Sequence, residues 1–335
     1  MKTVILAAGL GRRLEPFTRS LPKPLLPIVN RPVMEHIIRR LQSCGVETIL
    51  SNLYHRPEEI RATFGDGSAL GAHLSWKIED RLSGPAGALL AFSEALAEED
   101  CLVVSGDACT DLDFACLIAQ HRKRNAELMV VLKQVQDPGR FGVATLDGEG
   151  RIVDFVEKPP IPPEETGLVS CGIYCVSAAC RRRIPPGSVY DFGADLIPAM
   201  AREGAAVHGF VTQDYWIDVG TPAMLRRANL DVLTGRCRLE LPGVEIAPDI
   251  RREDELAQPI PTCWEGPLLL GRAVEVGTGA ELKGPVVVGD NVRIGANAYV
   301  SGSVLLPGAQ LSPGDCLLDG ILGQKDYRED RRTRR

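Results

Sequence analysis

The chain has 335 residues, enough for a large core and two domains, with 44% apolar and 24% charged residues in an ordinary globular balance. Its formal net charge of −6 argues against nucleic-acid or membrane-surface binding, which usually needs a basic domain. No apolar run approaches the roughly 20 residues that span a bilayer, and Met1-Lys2 leads straight into an apolar stretch, so no signal peptide and a cytoplasmic location are expected.

The first strand is expected over 4–7. A loop follows, Ala7-Ala8-Gly9-Leu10-Gly11-Arg12-Arg13, and then Lys23 between Pro22 and Pro24. Residues 33–44 read as a helix with Val33, Ile37, Ile38 and Leu41 on one face and Gly45 as its stop. A strand over 46–50, a helix over 57–64, a proline-opened helix over 85–96, a strand over 101–105, a helix over 114–124 and a strand over 128–132 follow. This alternation predicts an α/β domain with a Rossmann-like, mostly parallel sheet covered on both faces, whose ligands bind beyond the carboxyl ends of the strands. The pattern then changes to a hairpin of 142–146 with 151–156 around Asp147-Gly148-Glu149-Gly150. A strand over 169–176, a helix over 194–202, a strand over 206–210 and a closing helix over 222–233 complete it.

Residues 236–262, with scattered prolines and the charged run Asp249 to Glu255, read as a linker. Beyond it the period changes again. Leu270, Val276, Leu282, Val288, Ile294, Val300 and Leu306 fall six apart, and Val274, Ala280, Val286, Val292, Ala298 and Val304 form a second register. Such hexads predict a parallel β-helix with aliphatics inside and small residues at the corners. The expected division is therefore 1–235, a linker over 236–262, and a hexapeptide domain over 263–322. The basic end, Arg328 and Arg331 to Arg335, reads as a solvated tail. The ten cysteines include no CxxC pair, and Cys171, Cys175 and Cys180 lack histidines at metal-ligand spacing. They read as reduced, mostly buried thiols of a cytoplasmic protein.

A glycine-rich turn after a first strand usually meets phosphate, because bare backbone N–H groups approach the oxygens closely. The dinucleotide fingerprint fails here, since Leu14 stands where its third glycine belongs, and no Walker pattern is present. Cations are present instead: Arg13 offers a fork of donors, and Lys23 a point charge set between two prolines.

Gly9-x-Gly11-x-Arg13 followed by Lys23-Pro24 resembles the signature of the sugar-1-phosphate nucleotidyltransferases. The resemblance continues in Gly84-Pro85-Ala86-Gly87, Val104-Ser105-Gly106-Asp107, Phe155-Val156-Glu157-Lys158-Pro159, Tyr215-Trp216-Ile217-Asp218-Val219-Gly220 and the hexapeptide tail. It looks most like the mannose-1-phosphate guanylyltransferase branch, whose tail is a left-handed parallel β-helix. The resemblance implies in-line attack of a sugar-1-phosphate oxygen on the α-phosphorus of a nucleoside triphosphate, with pyrophosphate leaving. Such a reaction needs alignment and cations more than covalent help. It implies Arg13, Lys23, Asp107 and Asp218 as catalytic residues, with Asp107 and Asp218 holding Mg²⁺. Leu6, Ala7, Ala8, Gly9, Gly11, Glu79, Gly84, Gly87, Glu157, Lys158 and Gly172 are expected to bind substrate, with Lys158 on the sugar phosphate and Glu157 on sugar hydroxyls. Arg12 is expected outward, and Asp111 either behind the metal or in solvent.

The base is expected to be guanine. A carboxylate at Glu79 can accept from N1–H and N2–H₂, whereas uracil and thymine flank N3–H with two carbonyls. Two departures bear on specificity: Pro85 replaces the family's usual threonine, and Cys171 its usual asparagine before Gly172. Glucose-1-phosphate uridylyl- or thymidylyltransferase is the alternative. A silent nucleotide-sugar-binding relative is another, although the signature cations and aspartates are all present. Acyl transfer by the tail is disfavoured, since no histidine follows His208. A homo-oligomer assembled through the β-helix is expected.

Overall fold

In the computed structural model, which describes residues 1–254, 263–324 and the backbone of 328–329, the chain forms two compact units. One comprises Met1–Leu10, Ile37–Ala108 and Leu112–Trp216; the other comprises Gly11–His36, Cys109–Asp111 and Ile217–Arg335. Compactness thus divides the chain differently from sequence period, and it splits the glycine-rich signature between Leu10 and Gly11.

The first unit is built on a mixed sheet. Lys2–Leu6 pairs in parallel with Thr48–Leu53 on one side and Cys101–Ser105 on the other, and His73–Ile78 pairs in parallel beyond Thr48–Leu53. These strands are apolar because helices cover both faces; Val4, Ile5, Leu102 and Val103 are fully buried. The expected Rossmann-like parallel core is present, and one antiparallel insertion interrupts it. Thr166–Val176 enters antiparallel, between Cys101–Ser105 and Leu128–Gln136, and Val207–Val211 restores parallel pairing beyond. The change follows from connectivity, since the chain reaches Thr166 through the hairpin of Gly142–Leu146 with Ile152–Glu157 and not through a crossover helix. Leu89, Leu96, Val103, Leu128, Phe192, Ile197 and Met200 share one core cluster, and each such burial contributes about 1.5–3 kcal/mol.

Two expected helices differ. The 85–96 segment is a 3₁₀ helix over Gly87–Phe92 followed by a short α-helix over Ser93–Leu96. Its first turn is anchored sideways, with the N–H groups of Ala86 and Gly87 both donating to Tyr190 O at 3.0 Å. The 194–202 segment begins earlier, as a π turn over Phe192–Leu196 capped by the Asp191 carboxylate, and becomes α-helical over Ile197–Arg202. By contrast, Phe114–Arg124 and Pro222–Leu233 are helices with the expected bounds, capped by Asp113 and Thr221.

The second unit contains the parallel β-helix. Leu268–Leu270, Val286–Val288, Val304–Leu305 and Ile321–Leu322 stack on one face. Glu275–Val276, Arg293–Ile294 and Gln310–Leu311 form another, and Glu281–Lys283, Tyr299–Ser301 and Cys316–Leu318 the third. Inward aliphatics such as Leu282, Val288, Ile294 and Val300 make a continuous core.

Two sequence readings are corrected here. The 236–262 segment is not simply a linker, because Ile250–Arg252 adds a parallel strand below Leu268–Leu270 and Val244–Ala247 folds back on it. Residues 255–262 lie outside the described residues, as does the Arg331 to Arg335 tail; the backbone of Arg328 pairs with Leu322. The hexad phase also slips. Leu282 pairs with Val300, but Val288 pairs with Leu305, not with the expected Leu306. Between the paired residues Lys283 and Val287 lie Gly284, Pro285 and the strand residue Val286, whereas between their partners Ser301 and Val304 lie only Gly302 and Ser303. Buried Ser303 closes the shorter corner, its hydroxyl donating to Ser301 O at 2.6 Å and accepting from Gly320 N–H at 3.0 Å.

No helix among the described residues is long and apolar enough to cross a membrane. Cys101, Cys175 and Cys180 are core residues whose thiols burial pushes up, Cys101 to about 11, which leaves them unreactive.

Candidate active site

In the first unit, the carboxyl ends of three neighbouring strands come level, with Leu6 beside Asn52 on one side and beside Ser105 on the other. The chain leaves the first strand held from both flanks. Ala7 N–H donates to the buried Asn52 side-chain oxygen at 3.1 Å, and Gly106 N–H donates to Leu6 O at 2.9 Å. A Cβ at Gly106 would lie 2.8 Å from Leu6 O, so only glycine lets the two strand ends close. Asp107 follows, half-buried, and accepts the Ser105 hydroxyl at 2.5 Å. Gly172 sits against Ser105, with 3.2 Å between its would-be Cβ and the serine Cβ. Asp107, Gly172, Leu6 and Ala7 are therefore brought to one place. Among the described residues, nothing lies within 4 Å of a Cβ at Gly9, so the loop there is open to an approaching ligand.

Glu79 is already engaged. Asn52 donates to one carboxylate oxygen at 2.6 Å, and the other accepts both the N–H and the hydroxyl of Ser83 at 2.8 Å. Through Asn52 it braces Ala7. A carboxylate offers about four lone-pair sites, so room for about one further donor remains; it does not have two unoccupied oxygens to give a base. Gly84 has φ +81, and a Cβ there would collide with the Tyr190 backbone at 2.5 Å. Gly87 N–H also points to Tyr190 O. Gly84 thus serves close backbone packing, whereas a Cβ at Gly87 would meet its neighbours only at ordinary contact distance, 3.4 Å.

Glu157 ends its strand opposite Gly142 and has a carboxylate oxygen beside Gly193, where side chains would fill the space it occupies. Lys158 donates to Glu157 at 2.9 Å, its side chain largely in solvent. Its backbone is left-handed, with φ +48, a conformation a lysine rarely adopts, and it is tied by its N–H to Phe141 O at 3.0 Å. Cys171 points into the core, where burial pushes its thiol far up, and cannot face a sugar. Ser170 shares a 3.2 Å hydrogen bond with the Tyr174 hydroxyl and accepts from Gly172 N–H at 3.3 Å.

The second unit gathers the cations around one carboxylate. Lys23 Nζ lies 3.4 Å from Asp218 Oδ1, and Arg13 lies 3.6 Å from Asp218 Oδ2. The Lys23 side chain is 10% exposed, Asp218 28% and Arg13 64%, so the lysine charge is the least screened of the three. Gly11 has φ +65, and a Cβ would press on Thr18 at 2.9 Å and Lys23 at 3.3 Å. The glycine thereby lets the chain turn into the short 3₁₀ helix Arg12–Leu14. Arg12 itself is exposed, as expected. Asp111 is neither solvated nor open: it is buried and accepts from the backbone and side chain of Arg238 at 2.9 and 3.0 Å.

Sequence reasoning gave no role to Asn52, nor to Ser105 and Gly220 within their motif blocks. Asn52 carries a signal in hindsight, a polar residue ending an apolar strand at the level of Leu6. Gly220 is marked in sequence only by its place in the Tyr215–Gly220 motif block, because its role is spatial: a Cβ there would lie 2.8 Å from Asp218 Oδ2 and 3.0 Å from Arg13.

Residues 2–235 match the family model described as nucleotidyl transferase. The chain is 30% identical over 341 residues to a UTP–glucose-1-phosphate uridylyltransferase of Synechocystis sp., covering 96% of this chain and 87% of that protein. It is 32% identical over 292 residues to a mannose-1-phosphate guanylyltransferase of Mycobacterium tuberculosis, covering 85% and 79%. The crystal structure of HddC from Yersinia pseudotuberculosis complexed with GMP-PN superposes with a TM-score of 0.59 at 25% identity, over 68% of this chain and 97% of that one.

Proposed function

We propose the substrates of a chain that belongs to the nucleotidyl transferase family and is a sugar-1-phosphate nucleotidyltransferase: GTP and mannose-1-phosphate, giving GDP-mannose and pyrophosphate. A phosphate oxygen of the sugar-1-phosphate attacks the α-phosphorus, and the bond from that phosphorus to the bridging oxygen breaks. Its electron pair leaves with pyrophosphate.

The reaction crowds negative charge at one phosphorus, and catalysis is mainly its alignment and neutralisation. The observation that carries this reading is the pairing of Lys23 and Arg13 around Asp218. In it, Lys23 faces the α-phosphate and Arg13 the departing pyrophosphate. Lys158 holds the sugar phosphate and Glu157 the sugar hydroxyls. The open backbone at Gly9 takes the triphosphate with Leu6, Ala7, Ala8 and Gly11, and Gly84, Gly87 and Gly172 border the substrates.

The metal we assign is Mg²⁺, held by Asp107 and Asp218. Both donors are carboxylates, as a hard cation prefers, and among the described residues no group of three or more histidine, cysteine or acidic side chains forms a protein-only cage. An ion that takes its remaining ligands from phosphates and water needs none. When bound, it supplies further positive charge to the phosphate oxygens.

The guanine assignment rests on Glu79 and on relatives named as guanylyltransferases. With three hydrogen bonds accepted, Glu79 has room for about one further donor, which guanine N1–H supplies but uracil N3–H would also supply, so the named relatives carry most of this assignment. The chain is also similar to a glucose-1-phosphate uridylyltransferase, so UTP with glucose-1-phosphate is the competing pair. Four nucleoside triphosphates run against several sugar-1-phosphates, read by pyrophosphate release, test the assignment. GTP with mannose-1-phosphate should give the highest kcat/KM, and a higher value for any pyrimidine pair overturns it.

A further inference from the structure

We infer that the β-helix positions the cation-bearing segment for catalysis, with Gly323 and Asn30 as positioning residues acting through Lys23. The inference rests on the reading of Lys23 as a phosphate-facing cation. The segment Gly11–His36 belongs to the compact unit that contains the β-helix, and three separate contacts seat it there.

The first contact precedes Lys23 in the chain. Gly323, on the last described coil, lies against Phe17, and a Cβ there would fall 2.6 Å from the ring edge. Only a glycine leaves room for this approach, because real Cβ contacts essentially never fall below 3.0 Å. The second contact follows Lys23. The tight turn between Pro27–Ile28 and Arg31–Pro32 holds both Val29 and Asn30 at positive φ, 43° and 65°. A β-branched residue resists that conformation strongly, so the turn persists only where its surroundings fix it. Asn30 supplies that restraint by donating to Val288 O at 3.0 Å and to Glu253 at 2.9 Å, both on β-helix coils.

The third contact runs through the helix Pro222–Leu233, which follows Asp218. Buried Asn229 accepts from Val29 N–H at 2.8 Å and donates to Pro27 O at 3.0 Å. On the same helix Arg226 donates to Gly302 O and to Asp319, each at 2.7 Å. Lys23 therefore lies on a segment pinned at Phe17 and at Asn30. The Asp218 carboxylate it faces leads into a helix pinned to the same coils. A prism that only joined subunits would need no such contacts, whereas a catalytic lysine set to within a fraction of an ångström does.

The test uses the full chain and pyrophosphate release. Gly323→Ala and Asn30→Ala should each lower kcat by about 10-fold, since a 1 Å misplacement can cost 10²-fold. Phe17→Leu added to Gly323→Ala should restore kcat most of the way. In a Lys23→Ala background, Gly323→Ala should cost less than about 2-fold, because the residue it acts through is gone. Wild-type kcat in a folded Gly323→Ala protein, or full multiplication of the two losses, overturns the inference. If Gly323→Ala does not fold, the Asn30→Ala pair with Lys23→Ala decides by the same criterion. Turnover by the wild type alongside either negative result defeats the positioning claim alone. Absence of wild-type turnover with every substrate pair defeats the functional reading and the positioning claim with it.

Discussion

Replacing Gly220 with alanine should separate activity from stability. A Cβ at this position would stand 2.8 Å from Asp218 Oδ2 and 3.0 Å from Arg13, where ordinary contact begins at 3.4 Å, so the two groups must retreat by about 0.6 and 0.4 Å. Both colliding atoms are ends of flexible side chains, and the glycine is not at positive φ, so the backbone bears little of the cost. Gly→Ala at a compatible backbone position even stabilises by about 0.4–1 kcal/mol through the unfolded state. The displaced groups, however, are the carboxylate and guanidinium assigned to metal and pyrophosphate. Complete loss of one charge stabiliser costs about 10²–10³ in kcat, and a displacement of about half an ångström should cost part of that, about 10–10²-fold. Pyrophosphate release gives kcat, and a thermal melt of the same sample gives stability. The expected result is a kcat loss of that size at an unchanged or raised Tm. Wild-type turnover at wild-type Tm would mean that Asp218 and Arg13 are not aligned for the reaction.

Lys23→Ala or Asp107→Ala should lower kcat by at least about 10² while Arg12→Ala changes it less than about 3-fold, and steady-state kinetics with the best substrate pair checks the contrast. Gly84→Ala should destabilise by about 2 kcal/mol or more, because it combines positive φ with a collision on the Tyr190 backbone; a urea midpoint within error of wild type would contradict this. Stability should fall as pH drops from about 7 to about 5 in part through His208, since burial, then Arg124 and Arg151, hold its pKa below the ordinary value of 6.5. The unfolded chain then binds the proton first, so the contribution is complete above that value and is lost in acid. His208→Gln should flatten this part of the profile in urea titrations at the two pH values.

Strand and helix positions were legible wherever period and caps agreed. The stretches Cys101–Ser105, Phe114–Arg124 and Pro222–Leu233 have plain apolar patterns and sharp ends, and the structure places them accordingly. The hexads announced the β-helix, because inward stacking demands the same residue type at every coil. They hid the slip at Leu305, since Val304, Leu305 and Leu306 are all aliphatic, and the shorter corner closed by Ser303 goes with the shifted register. The 85–96 helix differs from expectation for a comparable reason: its start depends on Tyr190, about a hundred residues away in sequence.

The site divides in the same way. The family resemblance points to Arg13, Lys23 and Asp218, and the structure places both cations within 3.6 Å of the Asp218 carboxylate. The engagement of Glu79 was not legible, because it depends on Asn52 and Ser83 meeting one carboxylate. Nor was the burial of Asp111 against Arg238, a contact between residues far apart in the chain. The motif blocks pointed to the candidate groups; long-range packing decided which of them were already engaged.

A single ³¹P NMR time course decides between catalysis and silent binding. Purified chain with Mg²⁺, GTP and mannose-1-phosphate should convert the triphosphate and sugar phosphate signals into GDP-mannose and pyrophosphate in equal amounts, and Lys23→Ala should slow both together. Unchanged spectra, alongside tight binding of GDP-mannose by calorimetry, would show a nucleotide-sugar-binding protein and not a transferase.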